Sequence, residues 1–182
     1  MHEPLLSVQL MNNKTKNLTL SALFSALAVI SLFFASIWPT GQLGLAAVAS
    51  LFVAAAVVES GISYGICVFA VSSTIGMLLI PNRVPSLLFV LFFGYYPIVK
   101  SLIELLSEKI LRWALKLLVF NASLSVMWFL LRPILFEFEA DPGVIAVYLV
   151  GNAVFAVFDH GFTKVIWLYI VRVSLKRKKK KR

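Results

Sequence analysis

Histidine and cysteine are almost absent from this chain: its 182 residues hold His2, His160 and Cys67 and no others of either type. That scarcity excludes a histidine-rich metal centre, a thiolate metal cluster and any internal disulfide. Cys67 lies inside an apolar run, where a cysteine behaves as a small buried hydrophobe. HExxH, the Walker loop, GxSxG and CxxC are all missing, so the sequence offers no catalytic residue, metal site or cofactor motif, and no means of using nucleotide energy by itself. Charged residues make up only 14% of the chain, against about 25% in ordinary soluble domains. In their place stand 60% hydrophobic residues and a mean hydropathy of +0.93.

Such a composition belongs to an all-α, polytopic integral membrane protein. Six apolar runs, at about 18–38, 43–58, 62–80, 86–103, 113–131 and 144–172, predict six spanning helices in a single membrane domain. The first is longer than a signal-peptide core and has no small-residue cleavage site, so it is expected to stay as a helix. Pro39 to Gly44, Glu59-Ser60-Gly61 and Pro81 to Pro85 punctuate the runs, and Pro97 predicts a kink in the fourth. Lys100, Glu104, Glu108, Lys109, Arg112 and Lys116, several of them four apart, predict a charged interfacial helix between the fourth and fifth spans. An acidic connector with Glu137, Glu139 and Asp141 precedes the last run.

The net charge of +9 is local, since seven of the 17 basic residues form the run Lys176 to Arg182. Residues 173–182 therefore read as a cytoplasmic tail facing anionic lipid rather than nucleic acid. Even spans place both termini on one side, and that side carries 14 of the 17 basic residues. Lysine and arginine favour the cytoplasm, so both ends are expected there, in a multi-pass protein of the cell membrane.

The last run carries Asn152, Asp159, His160 and Lys164. Ionisable groups at membrane depth cost about 2.5–3.5 kcal/mol each, and they persist where they face a bundle interior, a cavity or a partner. At about 100° per residue, Tyr148, Asn152, Asp159 and Thr163 fall on one stripe, with His160 and Lys164 on a neighbouring one. Asp159 and Lys164 lie too far apart around the axis to pair. Asp159 therefore needs a partner from another helix or from a ligand. The stem of Lys164 can snorkel to the interface, and His160 can serve equally as a neutral core histidine. Ala22 and Ala26, and beside them Ser21 and Ser25, give the first span small residues four apart that admit another helix closely. The second span adds Ala46, Ala47, Ala49, Ser50, Ala54 and Ala55, for docking within the bundle or against another subunit.

Six spans, a basic tail, the opening Leu18-Thr-Leu-Ser-Ala-Leu-Phe-Ser-Ala-Leu-Ala28 and the short Pro39-Thr-Gly-Gln-Leu-Gly44 connector together resemble the substrate-binding S components of energy-coupling factor (ECF) transporters. Phe93-Gly-Tyr-Tyr-Pro-Ile98 is similar to a stretch of bacterial membrane proteins of unassigned role. The S-component resemblance implies a bacterial inner-membrane subunit that captures a vitamin-like or other small organic molecule. It also implies a transmembrane coupling subunit and an ATPase pair as partners, with Ala22 and Ala26 docking the coupling subunit. Substrate would lie in the outward half, against Gln42, Tyr148, Asn152 and Asp159, with His160 beside them; no vitamin-specific signature narrows it. Two other roles suit the same residues: a structural or assembly protein, and a small lipid-modifying enzyme using Asp159 and His160. A groove filled solid by the protein's own side chains, with Asp159 fully bonded to its neighbours, would end the transport reading.

Overall fold

Long apolar runs without internal proline satisfy their backbone hydrogen bonds only as helices. In the computed structural model of this chain, residues 3–135 and 143–180 are described, with side chains over 14–130 and 143–172, and no strand occurs among them. The helices are α1 (Glu3–Ile37), α2 (Gln42–Ser60), α3 (Ile62–Leu79), α4 (Val84–Leu88), α5 (Tyr96–Ile103), α6 (Lys109–Leu135) and α7 (Val144–Lys180). Six stretches are long and apolar enough to cross a membrane: Lys14–Ile37, Pro39–Ser60, Ile62–Leu79, Val84–Ile103, Lys109–Leu130 and Val144–Arg172. The acidic Glu137, Glu139 and Asp141 and the side chains of the basic tail lie outside the described residues.

Each break has a local cause. A 3-10 turn, Pro39–Gly41, separates α1 from α2, and Gly41 donates its N–H to the Trp38 carbonyl at 3.1 Å. Gly61, with φ at 97°, adopts a conformation open to glycine, closes α2 through its N–H to Val57 O, and lets α3 start at once. Ile80 is extended before Pro81, as a residue preceding proline must be, and Asn82 Oδ1 accepts the Val84 N–H ahead of α4. A π turn, Phe89–Phe93, follows α4, and Gly94 N–H reaches back five residues to Phe89 O at 2.7 Å. Pro97, which has no N–H to give Phe93 O, falls directly after this turn. The predicted kink in the fourth span is thus a wide turn followed by a fresh helix.

The chain divides into two compact units, Met1–Ile98 and Val99–Arg182. The first is built on small residues. Ser21, Ser25, Ala28, Leu32 and Ala35 of α1 are buried, as are Ala46, Ala49, Ser50, Val53, Ala54, Ala55 and Ala56 of α2. Gly65, Val68, Ser72 and Gly76 form the inward row of α3. Small faces let helix backbones approach, and the gain is van der Waals contact rather than water release. Cys67 lies one position off that inward row and is exposed, which corrects the expectation of a buried thiol. Of the two small rows on α1, Ser21 and Ser25 face inward while Ala22 and Ala26 are exposed. Ser72 Oγ donates to Ser25 O and Ser86 Oγ to Gly76 O, so the buried hydroxyls bond backbone carbonyls of neighbouring helices.

At Gly94 aromatic rings leave no room for a side chain. A Cβ there would lie 2.7 Å from Phe69 Cε2 and 2.8 Å from Phe89 Cε1. Phe89 is fully buried, so its ring has nowhere to go. Gly94→Ala is expected to lower stability by about 1–3 kcal/mol through overpacking, read as a lower unfolding midpoint in detergent; an unchanged midpoint would show that the aromatic cluster is loose.

In the second unit, the charged connector is not the interfacial helix that four-residue spacing suggested. Leu105 and Leu106 donate to Leu102 and Ile103 three residues back, which ends α5 in tight turns, and α6 begins only at Lys109. Glu104 and Glu108 are like charges at a separation of four, which disfavours a helical turn between them. Lys109, Arg112 and Lys116 belong instead to the first turns of the fifth span.

Candidate functional site

The second unit joins α6 and α7 antiparallel, and their polar contacts recur along the seam. Ser125 Oγ bonds Tyr148 OH; Asn121 and Asn152 exchange two side-chain hydrogen bonds, each of 3.0 Å; Lys116 meets Asp159. As the α6 partner moves back by four or five residues, the α7 partner moves on by four or seven. Between the last two rungs the rings of Phe120 and Phe155 stack with centroids 4.5 Å apart, and the Leu124 side chain packs on Gly151. The stripe that periodicity marked on α7 is therefore the face turned to α6.

At its far end the stripe reaches a cluster of charges. Asp159, 2% exposed, accepts from Lys100 Nζ of α5 through Oδ1 and from Lys116 Nζ through Oδ2 at 3.1 Å. Lys100 also donates to Thr163 Oγ1 at 2.8 Å and pairs with Glu104 at 3.0 Å, which occupies all three of its N–H groups. Lys116 pairs with Glu104 at 3.2 Å and sits 5.8 Å from the Trp113 ring centroid. Thr163, while accepting from Lys100, donates to the Asp159 carbonyl one turn back at 2.7 Å. The buried Lys100 and Lys116 are balanced by the buried Asp159 and by Glu104, which is exposed, so the cluster runs from the interior out to its edge.

Two cavities flank this ladder. One, of about 370 Å³, lies at the start of α7 against Val144, Ile145, Tyr148, Leu149 and Asn152. The other, of about 300 Å³, lies at the charge cluster; Glu104 and Asp159, the cations Lys109, Arg112, Lys116 and Lys164, and Trp113, His160 and Thr163 line it. Both are at the small end of the range for ligand pockets. The residues expected at one site are thereby divided. Tyr148 and Asn152 border the apolar cavity, whereas Asp159 and His160 border the basic one. Gln42 opens α2 in the first unit and is half-buried there.

Asp159 has its partner from other helices of the same chain, and those partners, Lys100 and Lys116, were not singled out in the sequence. A signal existed. Each is a lone cation at the edge of an apolar run, and a carboxylate inside a span requires a positive partner. Asp159 is bonded at both oxygens, and Tyr148 and Asn152 are engaged by α6, so the polar face of α7 is occupied by the chain's own side chains, with the two hollows lying beside it rather than within it.

Taken together, the helices define the class: an all-helical chain with six helices of membrane-spanning length and apolarity and a polar ladder inside its second unit. Comparison with known protein families, curated proteins and solved structures finds no match to this chain.

The charge balance makes a quantitative expectation. Asp159→Leu strands two buried ammoniums and should destabilise the protein by about 3–5 kcal/mol, whereas Asn152→Leu, which breaks a neutral interhelical pair, should cost about 0.6–2 kcal/mol. Adding Lys100→Met and Lys116→Met to Asp159→Leu should recover most of the loss. Unfolding midpoints in detergent read all three, and an Asp159→Leu variant no worse than Asn152→Leu would refute a buried ionic cluster.

Proposed function

We propose that the chain crosses the membrane six times with both termini in the cytoplasm and serves as the substrate-capture subunit of an ECF-type importer. The observation that carries this is an open apolar hollow at the start of α7, bordered by Val144, Ile145, Tyr148, Leu149 and Asn152. Small-molecule sites are mostly apolar concave surfaces. The distribution of lysine and arginine turns this end of α7 outward, where an importer would meet its substrate. Both Asn152 N–H groups are engaged, with Asn121 and the Tyr148 carbonyl, and its Oδ1 accepts one bond. The polar ends of Asn152 and Tyr148 are engaged by α6 and the α7 backbone, so the hollow suits a small, largely apolar organic molecule. Asp159, held by two lysines seven residues farther along, plays no part in it.

The exposed row of Ala22 and Ala26 supports a second element of the proposal, a helix of a transmembrane coupling subunit lying close against α1, with an ATPase pair beneath it. The inward row, Ser21 and Ser25, is already used within the chain, so these two rows divide the internal and external contacts. The basic tail would hold anionic lipid on the same side.

One observation favours the rival role of a structural or assembly protein: Tyr148, Asn152 and Asp159 all have interhelical partners without any ligand. Recovery of the chain from native membranes with other membrane proteins, but without an ATPase pair, would favour that role. A lipid-modifying enzyme has less support, because Asp159, its acid or base, is saturated by lysines.

Thermal unfolding of the detergent-purified protein against a panel of vitamins and related compounds tests capture. A true substrate at 100 times its Kd should add about 2.7 kcal/mol of stability. Leu149→Trp fills the cavity without touching the ladder, and it should abolish the shift while leaving the ligand-free midpoint in place. A folded protein that responds to nothing in the panel would defeat the proposal.

A further inference from the structure

The basic cavity has a charge excess that the buried cluster does not absorb. Lys100 and Lys116 are matched by Glu104 and Asp159, but Lys109, Arg112 and Lys164 make no ion pair among the described residues. All three line the same space of about 300 Å³. Lys116 contributes two N–H groups to the carboxylates and has a third to donate. The α6 helix starts at Lys109, so the positive end of a 27-residue helix belongs to this same end of the cavity. Immediately past Lys164, α7 continues with Val165, Trp167, Leu168 and Ile170, all exposed, beside which an acyl chain could lie.

We propose that this cavity binds a phosphate-bearing anion, the headgroup phosphate of an anionic phospholipid or the phosphate of a soluble compound. Arg112 supplies a planar fork for two phosphate oxygens, and Lys109 and Lys164 supply point charges on either side. Trp113 places an amphipathic ring at the rim, as at a membrane–water boundary. A carboxylate ligand would satisfy fewer of these donors than a phosphate, which has three or four oxygens to share among them. Basic pockets between spanning helices are recognised lipid-headgroup sites on the cytoplasmic face, and the apolar face beyond Lys164 matches the remainder of such a molecule. The site is distinct from the Tyr148–Asn152 cavity and does not depend on what, if anything, that cavity captures.

The test uses the full chain in a neutral detergent. Unfolding midpoints are measured against phosphatidylglycerol and phosphatidylcholine in mixed micelles, and separately against inorganic phosphate and pyrophosphate at constant ionic strength. A rise with phosphatidylglycerol, absent with phosphatidylcholine, identifies the lipid as source; a rise with phosphate or pyrophosphate alone identifies a soluble one. Each of Lys109→Gln, Arg112→Gln and Lys164→Gln should weaken the apparent affinity about fivefold, and the three together on the order of 100-fold. Deleting residues 176–182 should leave the response in place, which separates the cavity from the basic tail. Arg112→Gln alone serves if the triple variant fails to fold. No response to either class of anion, or a response lost with the tail and kept in the folded variants, overturns the proposal.

Discussion

One carboxylate shared by two ammoniums sets the terms for the second unit. Asp159, Lys100 and Lys116 come from three different helices, and none of them tolerates an apolar interior alone. Lys100 can reach Asp159 only if α5 ends where it does, and Lys116 only if α6 starts promptly after the turn at Glu104–Glu108. The same contact fixes how far α6 and α7 slide along each other. Once Lys116 is opposite Asp159, the Asn121–Asn152 pair falls into place further along the seam and the Ser125–Tyr148 pair one turn beyond it. An apolar seam alone would specify that register weakly, because leucine packs on leucine at many offsets.

The two units answer the same problem by different chemistry. In an apolar solvent the hydrophobic effect gives helices little reason to associate, so contact must come from close packing or from hydrogen bonds. The first unit uses alanine, serine and glycine faces, with Gly76 against Leu32 and Ser86, and Gly94 among aromatic rings. The second has few small residues at its seam and relies on amides, hydroxyls and charges. Small faces are permissive about what docks on them, whereas a polar ladder admits one partner in one register. That difference suits a chain in which an exposed small row, Ala22 and Ala26, remains on α1 while the α7 stripe is fully engaged.

Most of the architecture was legible in the sequence because apolar length and proline–glycine punctuation report directly on helices of this kind. The six runs agree with the six candidate spans to within a few residues, and the stripe on α7 follows from its period. What periodicity could not supply was the identity of the facing helix. Lys100 and Lys116 were grouped with a surface connector because they flank it in sequence, although each belongs to an apolar segment. Glu104 and Glu108 have helical spacing, but their like charge favours the turn that stands there. The split of the expected site into two cavities was also hidden, since Asn152 and Asp159 share a stripe but lie about 10 Å apart along the axis.

That separation bears on how such a protein could work. The rungs of the ladder differ in what it takes to open them. A neutral amide pair between membrane helices is worth about 0.6–2 kcal/mol, within reach of the binding energy of a small ligand. Separating Asp159 from its lysines without replacement costs about 3–5 kcal/mol, and two lysines would have to move together. Motion of α7 against α6 is therefore easiest at the Tyr148 end and hardest at the Lys116 end, which makes the charge cluster the fixed point of the pair. The first rungs can splay without disturbing the cluster, whereas opening the whole seam would require breaking the strongest contact in the unit.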